Sequence, residues 1–208
     1  MALLKRDKPA RPAGSNDIAR PRELQDLFAA LGSDNPIARR WAARDLGAHE
    51  GASDELLRRL AQEPDRSVRE VIFTSLTHLR EPAAVQGLVM FLRSDDPAVR
   101  NEVVETMKQL PDEVAPLMKS LLTDTDPDVR ILAVNVLESL RHPFVEAWLV
   151  EVIETDLHLN VCGAALDLLS ETGTALAVGA ILRLKNRFSS EPYIQFSADL
   201  ALDRIGKV

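Results

Sequence analysis

Apolar positions recur along this chain at helical spacing, and the pattern restarts about every thirty residues. From Val129 the apolar row runs through Ala133, Leu137 and Leu140; from Val99 through Val103, Met107 and Leu110; from Val68 through Ile72, Leu76 and Leu79; from Ile194 through Ala198, Leu202 and Ile205. Offsets of 4, 8 and 11 residues put each row on one face of a helix, not on one face of a strand.

A short polar signal precedes each row. The best formed is Asp126-Pro127-Asp128-Val129-Arg130, with a near-copy at Asp96-Pro97-Ala98-Val99-Arg100. Asn35-Pro36-Ile37-Ala38-Arg39 and Asp65-Arg66-Ser67-Val68-Arg69 come before them, and Asp156-Leu157-His158-Leu159-Asn160 and Glu191-Pro192-Tyr193-Ile194-Gln195 follow. The openings are spaced 30, 31, 30, 30 and 35 residues apart. Asp or Asn accepts hydrogen bonds from the free N–H groups of a first helical turn, a cap whose loss costs about 1 kcal/mol. Proline fits the next position, where its missing N–H is not needed. The aliphatic residue then starts the buried row. The fifth opening fits worse, because Asp167 falls where Met107 and Leu137 stand; a shifted register or an irregular helix is expected there.

Second helices are expected near 53–62, 83–93, 112–123, 143–154 and 174–185, separated by Gly47 and Gly51, Pro82, Pro111, Pro143 and Gly173. A leading helix over 21–31 would be an unpaired second helix, and a final one over 192–205 an unpaired first helix. A helix pair of this kind cannot bury its apolar face alone, so the pattern predicts a stack. Residues 1–20 hold Pro9, Pro12, Gly14 and Ser15 among basic residues and lack apolar periodicity, so they read as a flexible basic tail. Residues 21–208 read as a single repeat domain.

The openings at Asp96 and Asp126 resemble those of HEAT repeats, especially the short-period subclass found in phycobilin-lyase-like proteins. The likeness covers roughly residues 21–206. It implies an all-α, right-handed α-solenoid of about six HEAT-like helix pairs, about twelve helices. It also implies a structural role for Asp65, Arg69, Asp96, Pro97, Arg100, Asp126, Pro127 and Arg130, with Asp and Arg paired between adjacent repeats. Asn160 and Gln195 stand in the arginine slot of the fifth and sixth repeats, so the ladder is expected to end at Arg130.

Composition agrees with packed helices: 46% of the 208 residues are hydrophobic and only 4% aromatic, so the core is aliphatic. One cysteine, Cys162, excludes an intrachain disulfide and a CxxC metal site. No apolar run approaches the roughly 18 residues that span a bilayer, and the reading is a soluble, cytoplasmic protein. The net charge of −7 is uneven. Residues 70–180 carry eighteen acidic groups against seven basic ones, whereas residues 1–22 carry two against six. The acidic middle disfavours a phosphate footprint and suits a basic partner segment.

Candidate chemistry is sparse. His49-Glu50 resembles half of the His-Glu pairs that ligate iron in deoxyhypusine hydroxylase, but Leu, Pro and Leu follow the other histidines, and no metal or cofactor is expected. His142, Phe144 and Trp148 are the side chains available to a bilin pocket, the lyase-like alternative. Arg39, Arg40, Trp41, Arg44, Arg58, Arg59, Arg66 and Arg69 form a basic cluster, the nucleic-acid alternative, yet 36–69 holds six acids against seven bases. Cys162 and His158 lie one turn apart, a nucleophile–base spacing, but Cys162 sits in an apolar run that suits a core thiol. The primary expectation is a non-enzymatic interaction scaffold or adaptor, in a setting such as signalling. Its partner is expected on a concave face of second helices, where Gln86, Met90, Lys119, Glu146 and Glu151 are the candidate contacts.

Overall fold

The structure, a computed structural model, describes residues 23–206. The expected tail over 1–20 and the helix start at Pro21 lie outside the described residues. Twelve α-helices follow in order: α1 Leu24–Leu31, α2 Pro36–Leu46, α3 Ser53–Leu60, α4 Arg66–Leu79, α5 Pro82–Leu88, α6 Pro97–Lys108, α7 Pro111–Leu122, α8 Pro127–Leu137, α9 Val145–Thr155, α10 Leu159–Thr172, α11 Val178–Arg187 and α12 Pro192–Ile205. Short 3-10 turns over Val89–Arg93 and Ala175–Ala177 extend α5 and lead into α11. No strand occurs among the described residues.

The capped starts form as their sequences dictate. Asn35 accepts from the Ile37 N–H at 2.9 Å, Asp65 from Ser67 at 2.8 Å, Asp96 from Ala98 at 2.9 Å and Asp126 from Asp128 at 2.9 Å. Each cap residue is extended, and the chain turns helical immediately after it. Pro36, Pro97 and Pro127 hold the first helical position.

The fifth start is corrected. Asp156 accepts from the His158 N–H at 2.8 Å, but the helix begins only at Leu159, with His158 at the cap position. The buried row is therefore Val161, Ala165 and Leu169, and Asp167 points outward. Counting from the true caps, the spacings are 30, 31, 30, 32 and 33 residues. The arginine slot of this repeat holds Cys162, not Asn160.

The helices form two layers. In one, α2, α4, α6, α8, α10 and α12 pack side by side; in the other, α3, α5, α7, α9 and α11 do the same. One continuous aliphatic core lies between them. Val68, Ile72 and Leu76, and Val129, Ala133 and Leu137 at the same places two repeats on, belong to this core and are essentially buried. Each fully buried side chain of this size contributes about 1.5–3 kcal/mol. The array is an all-α solenoid.

Polar ties cross each junction near the thirty-residue spacing. Arg80 pairs with Glu113 at 2.9 Å, Lys108 with Glu138 at 2.8 Å and Arg93 with Asp124 at 2.5 Å. Glu81 accepts from the Gly51 N–H at 2.6 Å and from the Ser53 hydroxyl.

Candidate functional site

The slot arginines lie along one edge, at the loops entering the capped helices. Each reaches back to carbonyls five or six residues earlier: Arg39 to Ser33 and Asp34, Arg69 to Glu63 and Pro64, Arg100 to Ser94, Arg130 to Asp124 and Thr125. Three also reach a carboxylate of the next repeat. Arg69 meets Asp96 at 3.6 Å, the pairing the resemblance implies. Arg130 instead clasps Asp156, with Nε donating at 2.6 Å and Nη2 at 3.0 Å. Arg39 clasps Glu63 at 2.8 and 2.7 Å. Arg100 donates to the Ser94 carbonyl and makes no ion pair with Asp126, so the ladder is discontinuous there.

Glu63 is the residue that sequence reading missed. It is 5% exposed, as is Arg39, and also accepts from Arg59 at 2.7 Å and from the Asp65 N–H at 3.0 Å. Burial alone would push its pKa up; the hydrogen bonds and charges of Arg39 and Arg59 outweigh it and hold the carboxyl down at about 2. The only signal was an acid just ahead of a capped start.

At the fifth junction Arg187, from α11, takes over the edge. It donates to the Ile153 and Asp156 carbonyls at 2.8 Å and approaches the Cys162 sulfur at 3.7 Å. Cys162 is buried, and burial raises its thiol pKa. His158 caps the helix. The Cys162 thiol donates to the Asp156 carbonyl at 3.4 Å, and its backbone N–H to the His158 carbonyl, so the residues at this spacing are joined as a helix start.

A second feature lies on the outer face of the capped-helix layer. Between α4 and α6 runs a cleft of about 390 Å³, lined by Glu70, Phe73, Thr74, His78, Glu102 and Glu105. The α6–α8 cleft, about 320 Å³, continues it through Asn101 and Glu105 to Asn135 and Glu138. The α8–α10 cleft, about 270 Å³, shares Asn135 and Glu138 and reaches Asp167 and Glu171. Adjacent clefts share walls, so they form one groove across four helices. Six carboxylates line it against one lysine, Lys108, itself tied to Glu105 and Glu138. Burial raises the Glu102 pKa, and one oxygen of its carboxyl lacks a hydrogen-bond partner.

The residues expected to carry partner contacts lie on the other layer. Gln86 is exposed on α5, and Met90 is 77% exposed in the turn that follows. Lys119 and Glu151 come together with Trp148 at the α7–α9 junction, where the open space is only about 10 Å³. Glu146 is engaged by the Thr174 N–H at 2.6 Å and the Thr174 hydroxyl. The His142 and Trp148 rings stack at 4.9 Å, with Phe144 tilted beside them at 5.3 Å from His142. Phe144 is exposed, and the α7–α9 cleft that Trp148 lines holds only about 10 Å³, against the roughly 300 Å³ of a small-molecule site.

The basic cluster is mostly consumed internally. Arg39 and Arg59 bind Glu63, Arg58 pairs with Glu55, Arg66 with Glu70 and Arg69 with Asp96. Arg44 lies over the Trp41 ring at 5.2 Å. Among the described residues no helix is long and apolar enough to cross a membrane.

A family model for HEAT repeats matches the chain twice, over residues 24–108 and 53–124. No curated protein matches it. Among solved structures the chain is similar to an engineered protein, with 22% identity, a TM-score of 0.44, and 90% of this chain and 100% of that one covered. It is also similar to the complex of CpcE and CpcF of phycocyanin lyase from Nostoc sp. PCC7120, with 19% identity, coverage of 97% and 99%, and a TM-score of 0.38. A third is a designed armadillo repeat protein in complex with the peptide (KR)4, with 18% identity, coverage of 88% and 100%, and a TM-score of 0.43.

Proposed function

We propose that this chain, matched by a family model for HEAT repeats over residues 24–124, is a non-enzymatic interaction scaffold that takes a basic segment of a partner protein along the α4–α10 groove. The supporting observation is the groove itself: three clefts with shared walls, six carboxylates and one lysine. A low-dielectric wall behind a row of like charges concentrates the field and draws a cationic segment. The same field repels phosphates, which weighs against a nucleic-acid partner on this face.

The second-helix residues Lys119 and Glu151 are the alternative contact site, and the experiment separates the two. A synthetic peptide with lysine at every third position is titrated by fluorescence anisotropy at low salt and at about 1 M salt, where the screening length falls to about 3 Å. Binding should weaken at least tenfold with salt. It should weaken similarly when Glu105→Lys and Glu171→Lys are combined, and stay within twofold for Lys119→Glu with Glu151→Lys. The reverse ranking of the two double variants would move the site to the other layer. Salt-insensitive binding would sink the electrostatic reading.

A further inference from the structure

The groove face changes character at both ends of the array. Counting five and nine residues on from each cap gives the outward row: Arg40 and Arg44 on α2, Glu70 and Thr74 on α4, Asn101 and Glu105 on α6, Ile131 and Asn135 on α8, Gly163 and Asp167 on α10, and Phe196 and Leu200 on α12. It reads basic at α2, polar and acidic at α4 and α6, mixed at α8 and α10, where Ile131 is half-buried and Gly163 lies buried beneath Tyr193, and apolar at α12. Tyr193 joins the apolar end to the acidic part. Its hydroxyl lies 3.4 Å from Asp167, and its ring covers the α10 backbone at Gly163, where an added Cβ would come within 2.5 Å.

On α12, Tyr193 is 51% exposed, Phe196 69% and Leu200 36%. They stand at i, i+3 and i+7, one helical stripe. With aromatic side chains contributing about 150–250 Å² each, the stripe leaves on the order of 300 Å² of apolar surface open to water. That is well below the roughly 800 Å² per partner of a stable protein dimer. It suits one or two large side chains of a segment already held elsewhere.

Resting on the scaffold reading above, we propose that the α12 stripe is an apolar anchor site for the same partner segment, which carries basic residues along α4–α10 and one or two large apolar residues at the end that meets Tyr193, Phe196 and Leu200. The opposite end is closed to a basic segment by Arg40 and Arg44. Neighbouring helices sit about 10 Å apart and an extended chain advances about 3.3 Å per residue, so each cleft corresponds to about three residues and the span from α4 to α12 to about twelve.

The test uses the full chain and three synthetic peptides of about twelve residues, each with lysine at every third position. One is untipped, one has Leu-Trp added at the N-terminus, and one has it added at the C-terminus. Burying such side chains should make one tipped peptide bind about tenfold tighter than the untipped one. Phe196→Ser, a change at an exposed position, should abolish that gain and leave untipped binding unchanged. Leu200→Ser provides a second variant, and circular dichroism checks that both stay folded. If the untipped peptide binds but neither tip helps, or if the gain survives both substitutions, the anchor is wrong and the groove reading stands. If no peptide binds, the groove reading itself fails. A dimer in sedimentation that Phe196→Ser dissolves would make the stripe a self-association face and overturn the anchor.

Discussion

The Arg39–Glu63 clasp makes a quantitative prediction about stability. Replacing Glu63 with Gln keeps the shape and removes the charge, leaving the Arg39 guanidinium 5% exposed and opposite a neutral amide. Breaking one side of a buried pair costs about 3–5 kcal/mol; the Ser33 and Asp34 carbonyls still hold Arg39, so the low end applies. Linkage gives a similar figure. The folded carboxyl sits at about 2 against an ordinary value of 4.5, a difference equivalent to about 3 kcal/mol at neutral pH. Because the folded pKa is depressed, the contribution is present above the unfolded pKa and is lost as pH falls through the folded one. It should shrink from about 3 kcal/mol at pH 7 to about 1.4 kcal/mol at pH 3. Urea unfolding of the wild type and of Glu63→Gln across that range measures the gap, with unchanged m-values as the control. A gap that stays constant from about pH 7 to pH 3 would show that no ionised carboxylate is at work, and the reasoning would fail. Pairing Arg39→Met with Glu63→Leu should recover much of the loss, since an apolar pair of similar volume avoids both desolvation costs.

Two more predictions concern the C-terminal third. Gly163→Ala should destabilise the protein by about 1–3 kcal/mol, because its Cβ meets the Tyr193 ring; in a Tyr193→Ala background the cost should nearly vanish, and equal costs in both backgrounds would refute the contact. Cys162, buried and with its thiol pKa raised by that burial, should resist thiol-specific labelling at about pH 8 until urea unfolds the chain; rapid labelling of the folded protein would contradict the packing described.

Much of the architecture was legible because it is local. Asn35, Asp65, Asp96 and Asp126 mark helix starts by cap chemistry acting over three residues, and all four starts were readable. Asp156 misled for the same reason: it makes a cap-like bond to the His158 N–H, while the row Val161, Ala165 and Leu169 shows that the helix begins later. Glu63 was not legible, since its importance comes from Arg39, which lies 24 residues away in sequence and touches it only in the stack. The groove was hidden similarly. Glu105 and Asp167 look like ordinary solvated positions on separate helices, and only side-by-side packing turns them into one wall. Family expectation directs attention to the second helices, whereas the three clefts that share walls open between the helices that the capped motif begins.

The handover from Arg130 to Arg187 divides the array in another respect. Between Arg69 and Arg130, each unit of about thirty residues begins with the same cap and presents the same arginine slot, so one unit is nearly exchangeable for the next. Excising residues 96–125 would bring Asp126 to the place where Asp96 meets Arg69. From Asp156 onward this freedom ends, because α11 sends Arg187 back to the C-terminal end of α9 and α12 packs against both α10 and α11. Duplication or loss of a unit should therefore cost less stability in the middle than at the end. Copy number would then lengthen or shorten the groove one cleft at a time, between a basic end and an apolar end that stay as they are.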